Sequence, residues 1–248
     1  MKTGIEHELI NIEDLSYSYE KGEQILYDLT FSVRGGENVG LIGANGVGKS
    51  TLLKLLVGLN MGYQGKMMIA HHEMNAKNLK HIREHIGYVF QDSDSQLFMN
   101  TVEEDVAFGP KNYGLTKEEV EARVNEALEK AHITDLRKKH IYKLSGGEKK
   151  LAAIATILSM EPDIILMDEP SVALDPKNRR NLINLLNEME TTKVIASHDL
   201  DFIYDTCERT ILLSDGQIVA DGPTQEILLN KELLEENGLE LPLSFSRG

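Results

Sequence analysis

The stretch that most constrains this chain is Gly43-Ala44-Asn45-Gly46-Val47-Gly48-Lys49-Ser50-Thr51, which fits GxxxxGK[ST] and follows the apolar run Asn38 to Ile42. Glycines at 43, 46 and 48 admit backbone conformations closed to other residues, so successive N–H groups can converge on phosphate oxygens at a helix N-terminus. Lys49 then reaches the β and γ phosphates and Ser50 offers a hydroxyl to Mg²⁺, while Leu52, Leu53, Leu55 and Leu56 give the following helix an apolar face against a sheet. The plain alternative is a glycine-rich turn without a ligand. A strand before it and a helix after it weigh against that.

A chain of 248 residues is long enough for one large core with a satellite subdomain. The single cysteine, Cys207, has no partner, which fits a reducing compartment and argues against a thiol nucleophile. Forty acidic against 26 basic residues give a net charge of −14, a field that repels nucleic acid. The longest apolar stretch, Leu151 to Leu158, is eight residues broken by Thr156, far short of the ~20 that span a bilayer. The opening MKTGIEHELI lacks the apolar region of a signal peptide. The expectation is a cytosolic protein that meets a membrane only through another protein.

Leu9 to Tyr19 and Ile25 to Val33 flank the turn Glu20-Lys21-Gly22-Glu23 and predict an antiparallel hairpin. Tyr19, at the end of its strand, is either an edge residue or a stacking face for adenine, and the residues alone do not choose. Gly65 to Ile69 predicts a short strand, and Ile86 to Phe90 a buried one ending in Gln91. A polar group at the tip of a parallel strand is a candidate to touch Mg²⁺ or an attacking water. His71, His72, His81 and His85 invite a metal site, but no third ligand has a fitting spacing and a solvated polar face explains them. From Thr101 the pattern turns helical, with a capping box at Thr116 to Glu119 and a stripe of Val120, Val124, Ala127, Leu128 and Ala131. This predicts an inserted helical subdomain over about 92–160. The apolar residues from Gln96 to Met99, with Val102, Val106 and Phe108, form either an interface patch or part of that subdomain's core.

Leu144-Ser145-Gly146-Gly147-Glu148 opens a predicted helix from Lys149 to Ser159, with Ser145 as N-cap and bare glycine N–H groups as a second anion site. Ile164 to Met167 predicts a strand buried on both faces with Asp168 and Glu169 at its tip. Alternation points Asp168 to the phosphate-loop side, where it can hold Mg²⁺, and Glu169 toward a water attacking the γ-phosphorus. Asp175-Pro176 starts another helix. A strand over Lys193 to Ala196 ends at Ser197-His198, where His198 can donate to the γ-phosphate. A hairpin around Asp215-Gly216 and two short helices fill about 215–248.

Taken together, these motifs resemble those of the ATP-binding subunit of ABC transporters over nearly the whole chain. The phosphate loop, Gln91, LSGGE at 144–148, MDEP at 167–170, SVALD at 171–175 and His198 stand in that family's order. The segment QLFMNTVEEDVAFGPKNYGL and the tail LLSDGQIVADGP with GLELPLSF are similar to the energy-coupling-factor class, most of all its cobalt and nickel importers. The resemblance implies one α/β domain over 1–248. It has a RecA-like P-loop NTPase core sheet, an N-terminal antiparallel β-subdomain and the inserted helical subdomain.

By that likeness Tyr19 stacks on adenine. Gly43, Asn45, Gly46, Val47, Gly48, Lys49, Ser50 and Thr51 bind the phosphates of ATP, and Ser50, Gln91 and Asp168 hold Mg²⁺. Glu169 is the base, with Gln91 and His198 at the γ-phosphate. Ser145, Gly146 and Gly147 contact the ATP of a second subunit, a copy of this chain or a paralogue, in a head-to-tail sandwich. The implied partners are an integral membrane scaffold, which docks on the segment after Gln91, and a substrate-binding subunit, at the cytoplasmic face of the cell membrane. No nucleic acid is implied. Two departures are visible: Glu148 stands where LSGGQ is frequent, with the expectation that its carboxylate weakens the sandwich, and ASHD stands where THD is commoner. Rival functions are a vitamin importer of the same class and a soluble ABC ATPase acting on nucleic acid, the latter disfavoured by the acidic charge.

Overall fold

The computed structural model describes residues 8–19 and 22–245, so Glu20 and Lys21 of the expected turn lie outside the described residues. In chain order the elements are β1 (Glu8–Ser18), β2 (Gln24–Arg34), β3 (Asn38–Ile42), α1 (Lys49–Leu56), β4 (Gln64–Ile69), β5 (His72–Glu73), α2 (Leu79–His85) and β6 (Ile86–Val89). The helices α3 (Val102–Asn112), α4 (Lys117–Lys130) and α5 (Gly146–Leu158) follow. The chain then returns to alternation: β7 (Ile164–Asp168), α6 (Pro176–Glu188), β8 (Thr192–Ala196), α7 (Leu200–Thr206), β9 (Arg209–Ser214), β10 (Gln217–Pro223), α8 (Thr224–Leu228) and α9 (Lys231–Glu236).

Two sheets form among the described residues. One is antiparallel in the order β2-β1-β4-β5, and the other runs β10-β9-β3-β8-β7-β6. In the second, β3 lies parallel between β8 and β9, with Asn38 opposite Lys193 and Val39 opposite Arg209, while β7 lies parallel between β8 and β6. Strands such as Asn38–Ile42 and Ile164–Asp168 read as continuous apolar runs because both faces are covered. Their alternation assigns the faces. Ile164 and Leu166 join Leu41, Val194 and α1 in a cluster roofed by the antiparallel sheet, whereas Ile165 and Met167 join α6, α7 and α8 on the opposite side. Asp168 therefore shares the face of Leu166, the face of α1.

A third apolar cluster belongs to α3, α4 and α5 and takes in Val120, Val124, Ala127, Leu128 and Ala131. It also takes in Leu97, Val102 and Val106, all buried. This corrects the idea of one continuous apolar patch: Val102 and Val106, at helical spacing on α3, and Leu97, in the loop before it, go to a core, and Phe98 and Phe108 stay exposed as an edge-to-face pair with ring centroids 4.8 Å apart. The last hairpin ties back to the first, where Tyr27 N–H donates to the Gly216 carbonyl at 2.9 Å. No helix among the described residues is long and apolar enough to cross a membrane.

The strand that feeds the phosphate loop is tightly seated. A Cβ at Gly40 would lie 2.6 Å from Ile203 Cγ2 on α7 and 3.2 Å from Thr210 Oγ1. Gly40→Ala is expected to destabilise the fold by ~1–3 kcal/mol, the usual range for overpacking, read as a lower urea midpoint at unchanged m-value. An unchanged midpoint would mean that α7 yields freely.

Candidate functional site

The parallel strands deliver four chain segments to one edge of the sheet: the loop after β3, Ser197 and His198 after β8, Asp168 and Glu169 from β7, and Phe90 and Gln91 after β6. In an open α/β sheet this C-terminal edge is where ligands bind. The loop has the shape of an anion cradle. Gly43 (φ 146°) and Gly48 (φ 106°) adopt left-sided backbone conformations, and a Cβ would lie 2.3 Å from the Leu213 carbonyl at the first and 2.5 Å from Leu26 Cδ2 at the second. Gly48 is the N-cap of α1, where no side chain caps the first turn and no acidic residue sits in it. The N–H groups at this helix start are left to an anion.

Lys49 is buried, and its Nζ donates to the carbonyls of Gly43 at 2.6 Å and Ala44 at 3.0 Å, closing the loop across its mouth. Burial lowers its pKa, while the carboxylates of Glu169 and Asp168 pull the other way. Ser50 Oγ donates to Asp168 Oδ1 at 2.9 Å, as the shared face requires. The phenol of Tyr88, raised in pKa by burial and then by the Asp168 charge, donates to Oδ2 at 3.2 Å. A hydroxyl and a carboxylate are hard oxygen donors of the kind Mg²⁺ selects. Tyr88 carries no motif in the sequence, although on β6 it shares the sheet face of Leu166 and Asp168 on β7. Tyr19 reaches this neighbourhood too, with its hydroxyl 3.0 Å from Thr51 Oγ1 and its exposed ring edge-on to Tyr17.

The strand stops at Asp168, and Glu169 takes a positive φ of 48°. Its carboxylate accepts from Ser197 Oγ at 3.0 Å and from the His198 N–H at 3.0 Å, and lies 2.8 Å from His198 Nδ1. The serine of ASHD thus touches Glu169 directly. Gln91 is exposed, and its carbonyl accepts from Lys150 Nζ at 2.6 Å.

The glycine motif of α5 differs from expectation in two ways. The helix begins at Gly146 rather than Lys149, because Ser145 caps it with a full capping box. Glu148, expected to carry its charge toward a triphosphate, folds back: it accepts from the Ser145 N–H at 2.7 Å and pairs with Lys139 at 2.8 Å. The Lys139 contact and the Ser145 hydrogen bond hold its carboxyl below the usual range. A Cβ on Gly147 would lie 3.3 Å from Asn178 Nδ2, so this motif packs beside the turn that opens α6. Among the described residues no hydrogen bond or ion pair joins 145–148 to the loop at 43–51. Of the histidines, His85 Nδ1 meets Asp163 at 2.6 Å and His72 stacks on His81. No group of three His, Cys, Asp or Glu able to hold a metal ion occurs among the described residues.

Residues 26–172 match the family model described as ABC transporter. The chain belongs to the ABC transporter family. It is 48% identical over 239 residues to a Geobacter sulfurreducens protein named as an ABC transporter ATP-binding protein, covering 96% of each chain. It is 41% identical to the energy-coupling factor transporter ATP-binding protein EcfA of Carboxydothermus hydrogenoformans, over 94% of this chain and 87% of that one. Among solved structures it is similar to cbiO1 of Clostridium perfringens, part of the ABC transporter complex cbiONQ, with a TM-score of 0.83, 34% identity, and coverage of 92% and 94%. It is also similar to the dimeric post-hydrolysis state of the cassette MJ0796 bound to ADP and Pi, with a TM-score of 0.79, 28% identity, and coverage of 87% and 98%. This ABC chain is an ATPase, it binds ATP with Mg²⁺, and its likeness runs to the energy-coupling-factor class.

Removing Lys49 leaves the cradle with neutral N–H donors alone, and charge-assisted bonds are roughly twice as strong as neutral ones. Lys49→Ala is expected to weaken MgATP binding by about 100-fold or more in titration calorimetry. Near-normal affinity would move the nucleotide elsewhere.

Proposed function

We propose that this ABC ATPase is the motor subunit of a membrane importer and works as a head-to-tail pair with each ATP held between two subunits. The observation that carries the reading is the separation within one chain: the cradle at 43–51 stands at the sheet edge, while Ser145, Gly146 and Gly147 start a helix of another apolar cluster. Each half offers bare N–H groups to an anion, and neither reaches the other. A second copy, or a paralogue, turned end for end supplies the missing half to each site. The dimeric state of the similar cassette MJ0796 supports this arrangement.

In this reading Tyr19 stacks on adenine, residues 43–51 bind the phosphates, and Ser50, Asp168 and Gln91 hold Mg²⁺, which supplies positive charge to the phosphoryl oxygens. Glu169 takes a proton from the attacking water as the water oxygen bonds to the γ-phosphorus, and the bond to the bridging oxygen breaks, leaving ADP and phosphate. The Ser197 hydroxyl and the His198 N–H both donate to the Glu169 carboxylate and hold it in place at the tip of β8. His198 then faces the γ-phosphate with its other ring nitrogen. Charge created by cleavage loosens the sandwich, which converts hydrolysis into movement.

Likeness to cbiO1 of the cbiONQ complex, with the tail segments noted above, supports cobalt or nickel ions as cargo. The relatives named for energy-coupling factor transporters suit a vitamin importer equally well, the cargo being chosen by another subunit. Position at the cytoplasmic face of the membrane follows from docking on a membrane scaffold. The corrected patch narrows that surface to Phe98, 64% exposed, and Phe108 beside it.

Glu169→Gln keeps the shape and removes the base, so turnover should fall by ~10² or more while ATP affinity stays. The variant should elute from a sizing column as an ATP-dependent dimer, and wild-type turnover would place the base elsewhere. Phe98→Asp with Phe108→Asp should leave ATP binding intact and abolish co-purification with integral membrane proteins. Retention of the complex would put the docking surface on another face.

A further inference from the structure

Lys150 is only 2% exposed, on the second turn of the helix that Ser145 caps. A buried ammonium needs partners for its protons. Its partners are two main-chain carbonyls at the tip of β6, Phe90 at 3.0 Å and Gln91 at 2.6 Å. Helix formation does not ask for this: the neighbouring Leu151 and Ile154 show how the same helix fills its buried positions with apolar groups.

The strap continues beyond Gln91. Lys149 pairs with Asp94, and Gln96 Nε2 donates to the Ala153 carbonyl at 2.7 Å and to Thr156 Oγ1 at 2.9 Å while its Oε1 accepts from the Phe90 N–H. The segment 90–96 is thus fastened along α5 from its first turn to its third. Burial lowers the pKa of Lys150, opposed by the carboxylates of Asp168, Asp92 and Glu169.

We infer that Lys150 is a positioning residue, which clamps the main chain of Gln91 to the helix bearing Ser145–Gly147. The group that faces one ATP and the motif that faces the partner's ATP then move as a single body. This rests on the nucleotide-sandwich reading above. A brace of this kind does not touch the nucleotide, so it affects how the two halves close and not how one cradle binds.

The test is Lys150→Met, which keeps length and removes charge and donors, with Lys150→Gln retaining one donor. For the folded variant the expected split is a kcat lowered by about tenfold or more with KM and single-site MgATP affinity within about threefold, since small misplacements at a reacting centre carry such factors. Lys150→Gln should fall between variant and parent, and Lys150→Met placed in the Glu169→Gln chain should lose the ATP-dependent dimer. A purely structural role would lower the melting temperature and leave kcat and dimer formation unchanged below it, which overturns the inference. Should Lys150→Met not fold, Lys149→Met decides, because it cuts only the outer tie to Asp94: a fall in kcat of about two- to fivefold at constant KM supports the brace, and parental kcat overturns it. If Glu169→Gln alone fails to dimerise with ATP, the sandwich reading falls, and the kcat split still judges the brace.

Discussion

Everything at the nucleotide edge depends on the parallel pairing of β3, β8, β7 and β6. Parallel strands present their C-terminal tips on one side, so residues scattered between 43 and 198 arrive together without needing to be neighbours in the chain. The face on which each side chain lands is then fixed by alternation along a strand. Asp168 meets Ser50, 118 residues away, because it follows Leu166 and Ile164 on the face covered by α1. Glu169, one residue later and with a left-handed backbone, turns to the tip of β8 instead. Two adjacent carboxylates acquire different surroundings from a single step along the chain.

Burial then sorts the charges around that edge. Lys49 and Lys150 are both buried ammonium groups, and both are held by main-chain carbonyls with Asp168 and Glu169 in their field. One closes the phosphate loop and the other fastens the segment after β6. The chain carries a large negative charge as a whole, yet in these two places it keeps a cation out of water, a costly arrangement that hydrogen bonding must offset.

Much of this was legible in the residues. A phosphate loop between a strand and a helix, a doubly buried strand ending in two carboxylates, the capping box at Thr116 and the N-cap at Ser145 are local signals, and local geometry produced them as read. What escaped was set by distant packing. Whether Val102 and Val106 face a partner or a core cannot be told from a helical period, since both uses share it; α4 and α5 decide the matter by covering them, and Leu97 with them. Glu148 looked like a charge aimed at a triphosphate because the sequence does not reveal Lys139 beside it. Tyr88 and Lys150 carry no motif, and their meaning lies wholly in what the fold puts opposite them.

The position of β3 bears on how such a chain is made. Its neighbours in the sheet are β8 and β9, so Asn38 waits for Lys193 and Val39 for Arg209. During synthesis the phosphate loop leaves the ribosome long before the strands that hold its own strand flat. Contacts of such long sequence separation form slowly and expose unpaired edges meanwhile. The antiparallel sheet of β1, β2 and β4 has its partners close at hand and can pair early. A nascent chain therefore has its antiparallel sheet well before it has a working cradle, and the ability to hold ATP waits for β8 and β9.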